Sequence, residues 1–414
     1  MMPFSPLRIW GTGILSWAIL IGGIYCVWKW SEDHRPMQVQ SPEIREDRQR
    51  QEASSDNDRV QTVIQYRGNN YWLLALGIGL LTLSGVGFLP VTLLLGQPGP
   101  SATDQHQPHH TRWIDRPDGS RLYIATYGRA DGPTLLFTHG WSLDSTVWDL
   151  IRKKLAKQFR IVVWDLPGLG RSTQPANRDF RIEKMADDLA AVVEHLGPKP
   201  VILIGHSIGG MITQTYCRRY PQQLAPRIAG VVLLHTTYVN PLRTALFAPL
   251  WTVIEKPILV PLNYLTIWLA PLACLSNWQG YLNGSLQTMT RIASFSGRQS
   301  WSQLNYSAWL ACKAWPAVVA RGNLAMLAFD EESSLPEIQN PVLVISGKHD
   351  RMTKPIASER MEELLPHSVP ASVASGHLGL WEQHEKVAEL IGEFAERFLE
   401  EQQLPVKSKM NVGQ

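Results

Sequence analysis

Cysteine is scarce in this chain of 414 residues, and so is net charge. The four cysteines (Cys26, Cys217, Cys274 and Cys312) have no CxxC or metal-type spacing, and the first lies in an apolar N-terminal segment. This pattern argues against a disulfide framework or a cysteine-ligated metal, so we interpret the cysteines as small buried residues. The formal net charge of +3 gives no reason to expect a nucleic-acid partner.

Charged residues are absent from two segments of the first hundred residues, 9–28 and 71–95. About twenty apolar residues suffice to cross a hydrocarbon core of roughly 30 Å as a helix. Tryptophans stand at both ends of the first segment, as at a membrane interface, and no signal-peptide cleavage site follows it. We therefore predict that residues 1–100 form an uncleaved anchor with two transmembrane helices. A buried core helix is the alternative for the second segment.

The stretch between these segments, residues 31–70, is polar and mixed in charge, which predicts a loop that forms no core. It carries six arginines, whereas the flanks beyond the two segments offer Arg8 and Arg112. The positive-inside bias favours a multi-pass protein with this loop in the cytoplasm and the rest of the chain on the non-cytoplasmic side. Residues 101–111 are interpreted as a solvated linker, although their HQPHH sequence could bind a metal.

After residue 112, short runs of apolar and β-branched residues alternate with longer helical stretches. This alternation predicts an α/β domain over residues 112–400, with a mostly parallel sheet and helices on both faces. In such sheets the functional side chains gather at the carboxyl ends of the strands. Residues 401–414 remain as a C-terminal tail.

The sequence GHSIG at 205–209 lies directly after a predicted strand and directly before a predicted helix. This is the context in which a G-x-S-x-G sequence forms a nucleophile elbow. Gly205 and Gly209 allow the tight turn, since a Cβ there would collide with neighbouring backbone, and His206 is expected to face away from the cleft. Because the turn would lift the Ser207 hydroxyl above the sheet at a helix N-terminus, we predict that Ser207 is a nucleophile.

A nucleophilic serine needs a base and an acid that orients the base. After an elbow of this kind the acid follows a later strand, and the histidine comes last. Asp350 follows the predicted strand PVLVISG, and His377 lies in a loop before the C-terminal helix. We therefore predict the triad Ser207, Asp350 and His377. His349 and His384 are weaker candidates, because the first adjoins the acid and the second falls inside the last helix.

The HGW sequence at 139–141 follows the third predicted strand, where the second donor to an oxyanion is expected. We assign the oxyanion hole to the backbone N–H groups of Trp141 and Ile208. His139 is interpreted as a structural residue of the turn, and the Trp141 side chain as a candidate wall of the substrate pocket. We predict no metal site and no cofactor.

Several motifs together resemble the α/β-hydrolase superfamily over roughly residues 112–400: HGW, DLPGLGRS (165–172), GHSIGG (205–210), GKHD (347–350) and GHLGLWE (376–382). The chain is similar to the serine esterase and lipase-like branch, because a serine stands where the epoxide hydrolases carry an aspartate. The resemblance implies an eight-stranded, mostly parallel sheet with a helical cap insertion at about 240–335. It also implies that Asp165 stabilises a turn. The N-terminal anchor lies outside what the resemblance implies.

The predicted cap carries no charged residue from 257 to 290. Its segment 258–275 is almost a transmembrane run, but Pro261, Asn263 and Pro271 interrupt it. Three interpretations stay open: a helix pair packed on the core, a surface that rests on the bilayer or admits a lipophilic substrate, or a third span.

These observations predict a membrane-anchored serine hydrolase that cleaves a small-molecule ester, with a lipophilic acyl group, through an acyl-enzyme. The same triad could serve acyl transfer, C–C bond hydrolysis or cofactor-free peroxidation, since the cap selects the acceptor. A non-catalytic membrane protein built on this fold is the alternative from another class.

Overall fold

The structure, a computed structural model, describes residues 5–35, 37–39, 63–65, 70–104 and 106–403. Most of the predicted polar loop at 31–70 and of the predicted tail at 401–414 lies outside the described residues. Within the loop, strands β1 (Met37–Val39) and β2 (Val63–Gln65) form a short antiparallel pair.

The centre of the molecule is a sheet of eight strands: β3 (His110–Asp115), β4 (Arg121–Gly128), β5 (Thr134–Thr138), β6 (Arg160–Trp164), β7 (Val201–His206), β8 (Ile228–Leu234), β9 (Val342–Gly347) and β10 (Ser368–Val373). Their order across the sheet is β10-β9-β8-β7-β5-β6-β4-β3. Strands β5 to β10 run parallel to one another, whereas β4 pairs with β3 and β6 in the antiparallel sense. The predicted eight-stranded, mostly parallel sheet is confirmed.

Within the described residues, three helices precede the sheet: α1 (Ser5–Asp33), α2 (Tyr71–Val86) and α3 (Phe88–Leu95). The helices between its strands up to β8 are α4 (Asp149–Leu155), α5 (Ile182–His195), α6 (Ile208–Arg219) and α7 (Pro221–Arg227). Between β8 and β9 lie the cap helices α8 (Ala248–Ile254), α9 (Val260–Trp268), α10 (Ala270–Leu282), α11 (Ser285–Ser294), α12 (Trp301–Lys313) and α13 (Pro316–Leu327). The chain ends with α14 (Pro355–Leu364), α15 (Gly379–Glu382) and α16 (His384–Gln403).

The core lies on both faces of the sheet. In β7 every residue is buried, with Val201 and Leu203 in the core on one face and Ile202 and Ile204 in the core on the other. Helices α5 and α6 contribute to the first core, and α4 and α16 to the second. This double burial explains why the strands appear in the sequence as continuous apolar runs. It leaves the carboxyl ends of the strands as the edge at which polar side chains can meet.

Only one of the two predicted spans forms a single continuous helix in the described residues. Among the described residues, α1 alone is a single helix long and apolar enough to cross a membrane. The second predicted span, 71–95, is instead broken at Gly87 into α2 and α3, which are bent by 71°. The physical reason is Pro90, which has no N–H to donate and whose ring displaces the carbonyl one turn earlier, at Val86. The correction is therefore one clear apolar N-terminal helix and one bent pair.

The first half of α1 packs against the cap. The indole N–H of Trp10 donates to the Thr266 hydroxyl at 3.0 Å, and that of Trp17 donates to the Ser276 hydroxyl at 3.2 Å. Small residues permit this approach: a Cβ at Gly13 would lie 2.8 Å from the Cβ of Ser276. Cap helices α8 and α9 form a second bent pair with α10, at 99°. The apolar cap segment thus packs on the N-terminal helix.

Candidate active site

The turn between β7 and α6 holds Ser207 in an unusual backbone conformation, with φ 55° and ψ −121°. Such a conformation costs a residue other than glycine about 1–3 kcal/mol and persists only where its surroundings enforce it. The two flanking glycines are part of that enforcement. A Cβ at Gly205 would lie 2.4 Å from the Gly209 carbonyl oxygen, and one at Gly209 would lie 2.3 Å from the Thr138 carbonyl oxygen. The local geometry is that of a nucleophile elbow.

The three residues predicted as a triad lie in one hydrogen-bonded chain. The Ser207 hydroxyl is 3.0 Å from Nε2 of His377, and Nδ1 of His377 is 2.8 Å from Oδ2 of Asp350. Asp350 follows the end of β9, His377 lies between β10 and α15, and Ser207 follows β7. All three therefore lie at the carboxyl edge of the sheet, and each is less than a tenth exposed. This arrangement allows the imidazole to take a proton from the hydroxyl.

Asp350 is held as a carboxylate. Its Oδ1 accepts the backbone N–H groups of Met352 at 2.7 Å and Thr353 at 3.0 Å, and its Oδ2 also accepts the Thr353 hydroxyl at 2.9 Å. Burial by itself would raise the pKa of Asp350, but the charge interaction and hydrogen bond with His377 lower that pKa below its ordinary value. An ionised acid fixes the proton of the imidazole on Nδ1 and leaves Nε2 free to act as a base.

Two histidines outside the predicted triad, His206 of the elbow and His235, hold the backbone of His377. Nε2 of His206 and Nδ1 of His235 each lie 3.0 Å from the His377 carbonyl oxygen. Burial lowers the pKa of His206 well below its ordinary value and that of His235 to about 4, so both rings are neutral and donate an N–H. His206 was expected to face away from the cleft, yet it contacts the backbone of the base.

The sequence carries a signal for His235. This residue directly follows β8, at the carboxyl end of a parallel strand. Its backbone has φ 45°, which is rare for a residue with a side chain. A polar residue held in such a conformation at a strand end indicates a residue that the site needs.

The two residues assigned to the oxyanion hole lie beside the elbow and beneath the cap. Helix α6 begins at Ile208, so the Ile208 N–H belongs to the positive end of that helix. Trp141 is completely buried, and its indole N–H donates to the Val319 carbonyl oxygen of α13 at 2.9 Å. Gly322 of the same helix faces the indole ring, where a Cβ would lie 2.0 Å from Cζ2. The cap thus fixes the position of Trp141.

The turns around the site are tied by buried polar groups. Nε2 of His139 accepts the backbone N–H of Leu166 at 3.0 Å, and its Nδ1 donates to the Gly140 carbonyl oxygen at 2.8 Å. Asp165 accepts the backbone N–H groups of Ser145 and Arg171 at 2.7 and 2.8 Å. His139 and Asp165 therefore bind backbone groups of these turns and do not contact Ser207.

The part of the chain that the structure describes contains no cluster of three histidine, cysteine, aspartate or glutamate side chains suited to a metal ion. In the HQPHH linker, Nδ1 of His106 lies 2.8 Å from Oδ1 of Asp104.

Esterases are among the known proteins to which this chain is similar. A bifunctional esterase/perhydrolase from Acinetobacter calcoaceticus is 39% identical over 110 residues, which are 26% of this chain and 40% of that protein. A pimeloyl-[acyl-carrier protein] methyl ester esterase from Nitrosomonas europaea is 26% identical over 253 residues, which are 60% of this chain and 88% of that protein. The chain therefore spans less than half the length of the first of these relatives.

A solved structure, that of a thermophilic esterase from Thermogutta terrifontis, has 26% sequence identity and a TM-score of 0.57. The match covers 70% of this chain and 99% of that one. The model of the family described as alpha/beta hydrolase family matches residues 135–390, which is more than half of the chain. With the sheet order and the elbow already described, the protein belongs to the alpha/beta hydrolase family.

Proposed function

We propose that the protein is a membrane-anchored serine esterase whose substrate is an ester with a lipophilic acyl chain. The observation that carries the proposal is the continuous hydrogen-bonded chain from the Ser207 hydroxyl through His377 to Asp350. Each member has the partner that its role requires: a base for the serine, an acid for the base, and backbone donors for the acid.

In the first half of the proposed reaction, Ser207 Oγ attacks the ester carbonyl carbon while His377 Nε2 takes the hydroxyl proton. The backbone N–H groups of Trp141 and Ile208 bind the oxyanion that forms, and one such donor is typically worth about 10²–10³ in rate. The tetrahedral intermediate collapses, the bond to the alcohol oxygen breaks, and His377 returns its proton to that oxygen. The alcohol leaves and the acyl group stays on Ser207.

In the second half, a water molecule gives one proton to His377 Nε2 and attacks the acyl carbon. The second tetrahedral intermediate collapses with cleavage of the bond to Ser207 Oγ, which recovers the proton from His377. The carboxylic acid is released. Asp350 remains ionised throughout and stabilises the imidazolium that forms in each half.

A lipophilic acyl chain and a membrane location are supported by the apolar surface that the anchor and the cap share. Leu94 of α3, Val253 of α8 and Trp268 of α9 are 81%, 73% and 78% exposed. Apolar surface of this kind on a soluble face would favour aggregation, so a covering lipid phase is the simpler explanation. We propose that α1 spans the bilayer, that α2 and α3 together return the chain, and that the arginine-rich loop is cytoplasmic.

The enzymatic part of the proposal is tested by labelling with a fluorophosphonate, which reacts with activated serines. The wild-type protein should be labelled and Ser207→Ala should not. A wild-type chain that stays unlabelled would refute a serine mechanism.

The acyl preference is tested with p-nitrophenyl esters of increasing chain length. Each buried CH2 contributes about 0.8 kcal/mol, so kcat/KM should rise about fourfold per added carbon until the site is filled. Equal turnover of short and long esters, and no loss of turnover when exposed apolar residues of 258–275 are made polar, would contradict the lipophilic acyl chain.

The orientation in the membrane is tested by reporters placed in the 40–62 segment and after the C-terminus. The two reporters should lie on opposite sides of the membrane.

Perhydrolysis is the second candidate, because a stretch of 110 residues is 39% identical to a bifunctional esterase/perhydrolase. In that reaction hydrogen peroxide replaces water in the second half and releases a peracid. Product analysis with hydrogen peroxide, or with a competing alcohol for acyl transfer, separates these outcomes from hydrolysis.

A further inference from the structure

The carboxylate of Glu382, the last residue of α15, joins the loop of the proposed base to the cap. Glu382 closes the GHLGLWE motif (376–382), and the proposed mechanism gives it no role. Its Oε2 accepts the backbone N–H of Gly376, the residue before His377, at 2.7 Å. Its Oε1 accepts donors from the cap segment between α11 and α12. One side chain thus contacts two parts of the chain that are far apart in the sequence.

The cap segment surrounds Oε1 of Glu382 with donors. The backbone N–H groups of Ser296, Gly297 and Arg298 lie 2.8, 3.2 and 3.0 Å from this oxygen. The Ser296 hydroxyl donates to it as well, at 2.9 Å. Gly297 has φ 120°, a conformation that favours glycine, and successive N–H groups in such a turn form an anion-binding concavity. The turn therefore suits a carboxylate.

Further contacts hold the cap segment against the loop of the base. The backbone N–H of Leu378 donates to the Ser294 carbonyl oxygen at 3.0 Å. The rings of Phe295 and Trp381 are stacked, with their centroids 6.5 Å apart. The two segments leave no space between them at Gly376, where a Cβ would lie 2.7 Å from the Ser294 carbonyl oxygen. The loop of the base is thus packed directly on the cap.

The backbone of the base is held from two sides. On the side of the core, His206 and His235 donate to the carbonyl oxygen of His377. On the side of the cap, Glu382 accepts the N–H of the preceding residue. The two restrained groups lie on either side of the His377 Cα. This restraint keeps Nε2 of the ring within hydrogen-bond distance of the Ser207 hydroxyl.

We infer that Glu382 is a positioning residue of the catalytic base and makes the position of His377 depend on the contact between the cap and the loop of the base. The inference rests on the proposed function, which assigns the role of base to His377. Glu382 acts on the reaction through this loop. A carboxylate is needed because both of its oxygens accept hydrogen bonds, whereas an amide would present an NH2 group to one of the two segments.

The main test is Glu382→Gln in the full-length chain, assayed in detergent with a p-nitrophenyl ester. The amide oxygen should stay with the three N–H groups of the cap, so the hydrogen bond to Gly376 should be lost. kcat per serine labelled by fluorophosphonate should fall at least about tenfold, because a misplacement of 1 Å can cost about a hundredfold. KM should stay near the wild-type value, and the initial labelling rate should fall with kcat, since both depend on the base.

Two control variants separate the position of the base from the stability of the fold. Glu331→Gln changes another buried carboxylate, which accepts hydrogen bonds from Thr215 at 2.7 Å and Arg218 at 2.8 Å in the second half of α6. It should lower the thermal unfolding midpoint and leave kcat per labelled serine unchanged. Ser296→Ala removes one donor on the cap side only, so kcat should stay near the wild-type value.

A second variant keeps the test decisive if Glu382→Gln does not fold. Gly376→Ala leaves Glu382 intact, but its Cβ forces the loop of the base away from Ser294 and should lengthen the same hydrogen bond. kcat per labelled serine should again fall at least about tenfold.

Wild-type kcat per labelled serine in Glu382→Gln, or in Gly376→Ala if the first variant does not fold, would overturn the inference, even at a lowered unfolding midpoint. An equal loss of kcat in Glu331→Gln would also overturn it, because the loss would then follow stability alone. A failed proposed function shows itself separately, as a wild-type protein that the fluorophosphonate does not label.

Discussion

Gly322 is the residue at which the cap and the proposed oxyanion hole are most closely coupled. It lies in α13, and a Cβ added there would be 2.0 Å from Cζ2 and 2.3 Å from Cε2 of the Trp141 indole. Ordinary carbon contacts are about 3.5–4.0 Å, so Gly322→Ala requires the ring or the helix to move by more than 1 Å. The indole cannot simply rotate away, because its N–H donates to Val319 in the same helix.

Two opposing effects set the stability of this variant. Alanine is favoured over glycine inside a helix by about 1 kcal/mol. Overpacking of a closed site typically costs about 1–3 kcal/mol, and loss of the indole hydrogen bond adds roughly 1 kcal/mol. The net expectation for Gly322→Ala is a destabilisation of about 1–3 kcal/mol. Since Trp141 carries a proposed oxyanion donor, a displacement near 1 Å should also lower kcat by about tenfold to a hundredfold.

The assay combines thermal unfolding with kinetics on a p-nitrophenyl ester. kcat should fall more than KM rises, because the displaced N–H acts mainly on the transition state. Gly392→Ala in α16 is the matched control: its added Cβ meets only the flexible Leu155 side chain at 3.3 Å, so kcat should be unchanged and stability should rise by up to about 1 kcal/mol. When Trp141 is replaced by leucine, adding Gly322→Ala should no longer lower the thermal unfolding midpoint. A Gly322→Ala protein with wild-type kcat and a raised unfolding midpoint would refute the reasoning.

Three further substitutions test other contacts. Asp350→Asn should lower kcat about 10⁴-fold, because the wrong tautomer of the base is then favoured; an ester assay that gives less than a tenfold loss would contradict its role. Burial lowers the pKa of His235 to about 4 in the folded protein, against an ordinary value of 6.5. The neutral ring therefore contributes fully to the free energy of unfolding above pH 6.5, and up to about 3 kcal/mol of this contribution is lost as the pH falls to 4. His235→Gln should flatten this part of the unfolding profile, and an identical pH slope in both proteins would exclude the assignment. Gly13→Val should destabilise the protein in detergent, because its Cβ would lie 2.8 Å from that of Ser276, whereas Gly79→Val, with open space around it, should not.

The elbow and the triad could be predicted because their constraints are local or follow from the chain order. A strand, two glycines that exclude a Cβ, and a helix determine the turn at Ser207 within a few residues. The partners lie far along the chain, and the base comes 170 positions after the serine, yet each follows a strand of one parallel sheet. Parallel strands bring their carboxyl ends to one edge of the sheet, so residues that directly follow such strands in the sequence can be expected to lie close together in space.

Contacts that depend on the packing of side chains could not be predicted in this way. His235 donates to the carbonyl oxygen of His377, which is 142 residues away, and no spacing in the sequence marks that contact. The break at Gly87 could not be predicted from the apolar character of residues 71–95. It depends on Pro90, which acts on the carbonyl one turn before it.

The contact between helix α1 and the cap gives the N-terminal part of the chain a role in the fold. Helix α1 has 29 residues and is therefore about 44 Å long, well beyond the roughly 30 Å of a hydrocarbon core. Its first half contacts the cap through Trp10 and Trp17, whereas Gly23 in its second half packs on Leu81 of α2. The cap contacts therefore lie within the apolar segment 9–28 itself. Because cap helix α13 in turn fixes Trp141, helix α1 supports the proposed site through packing.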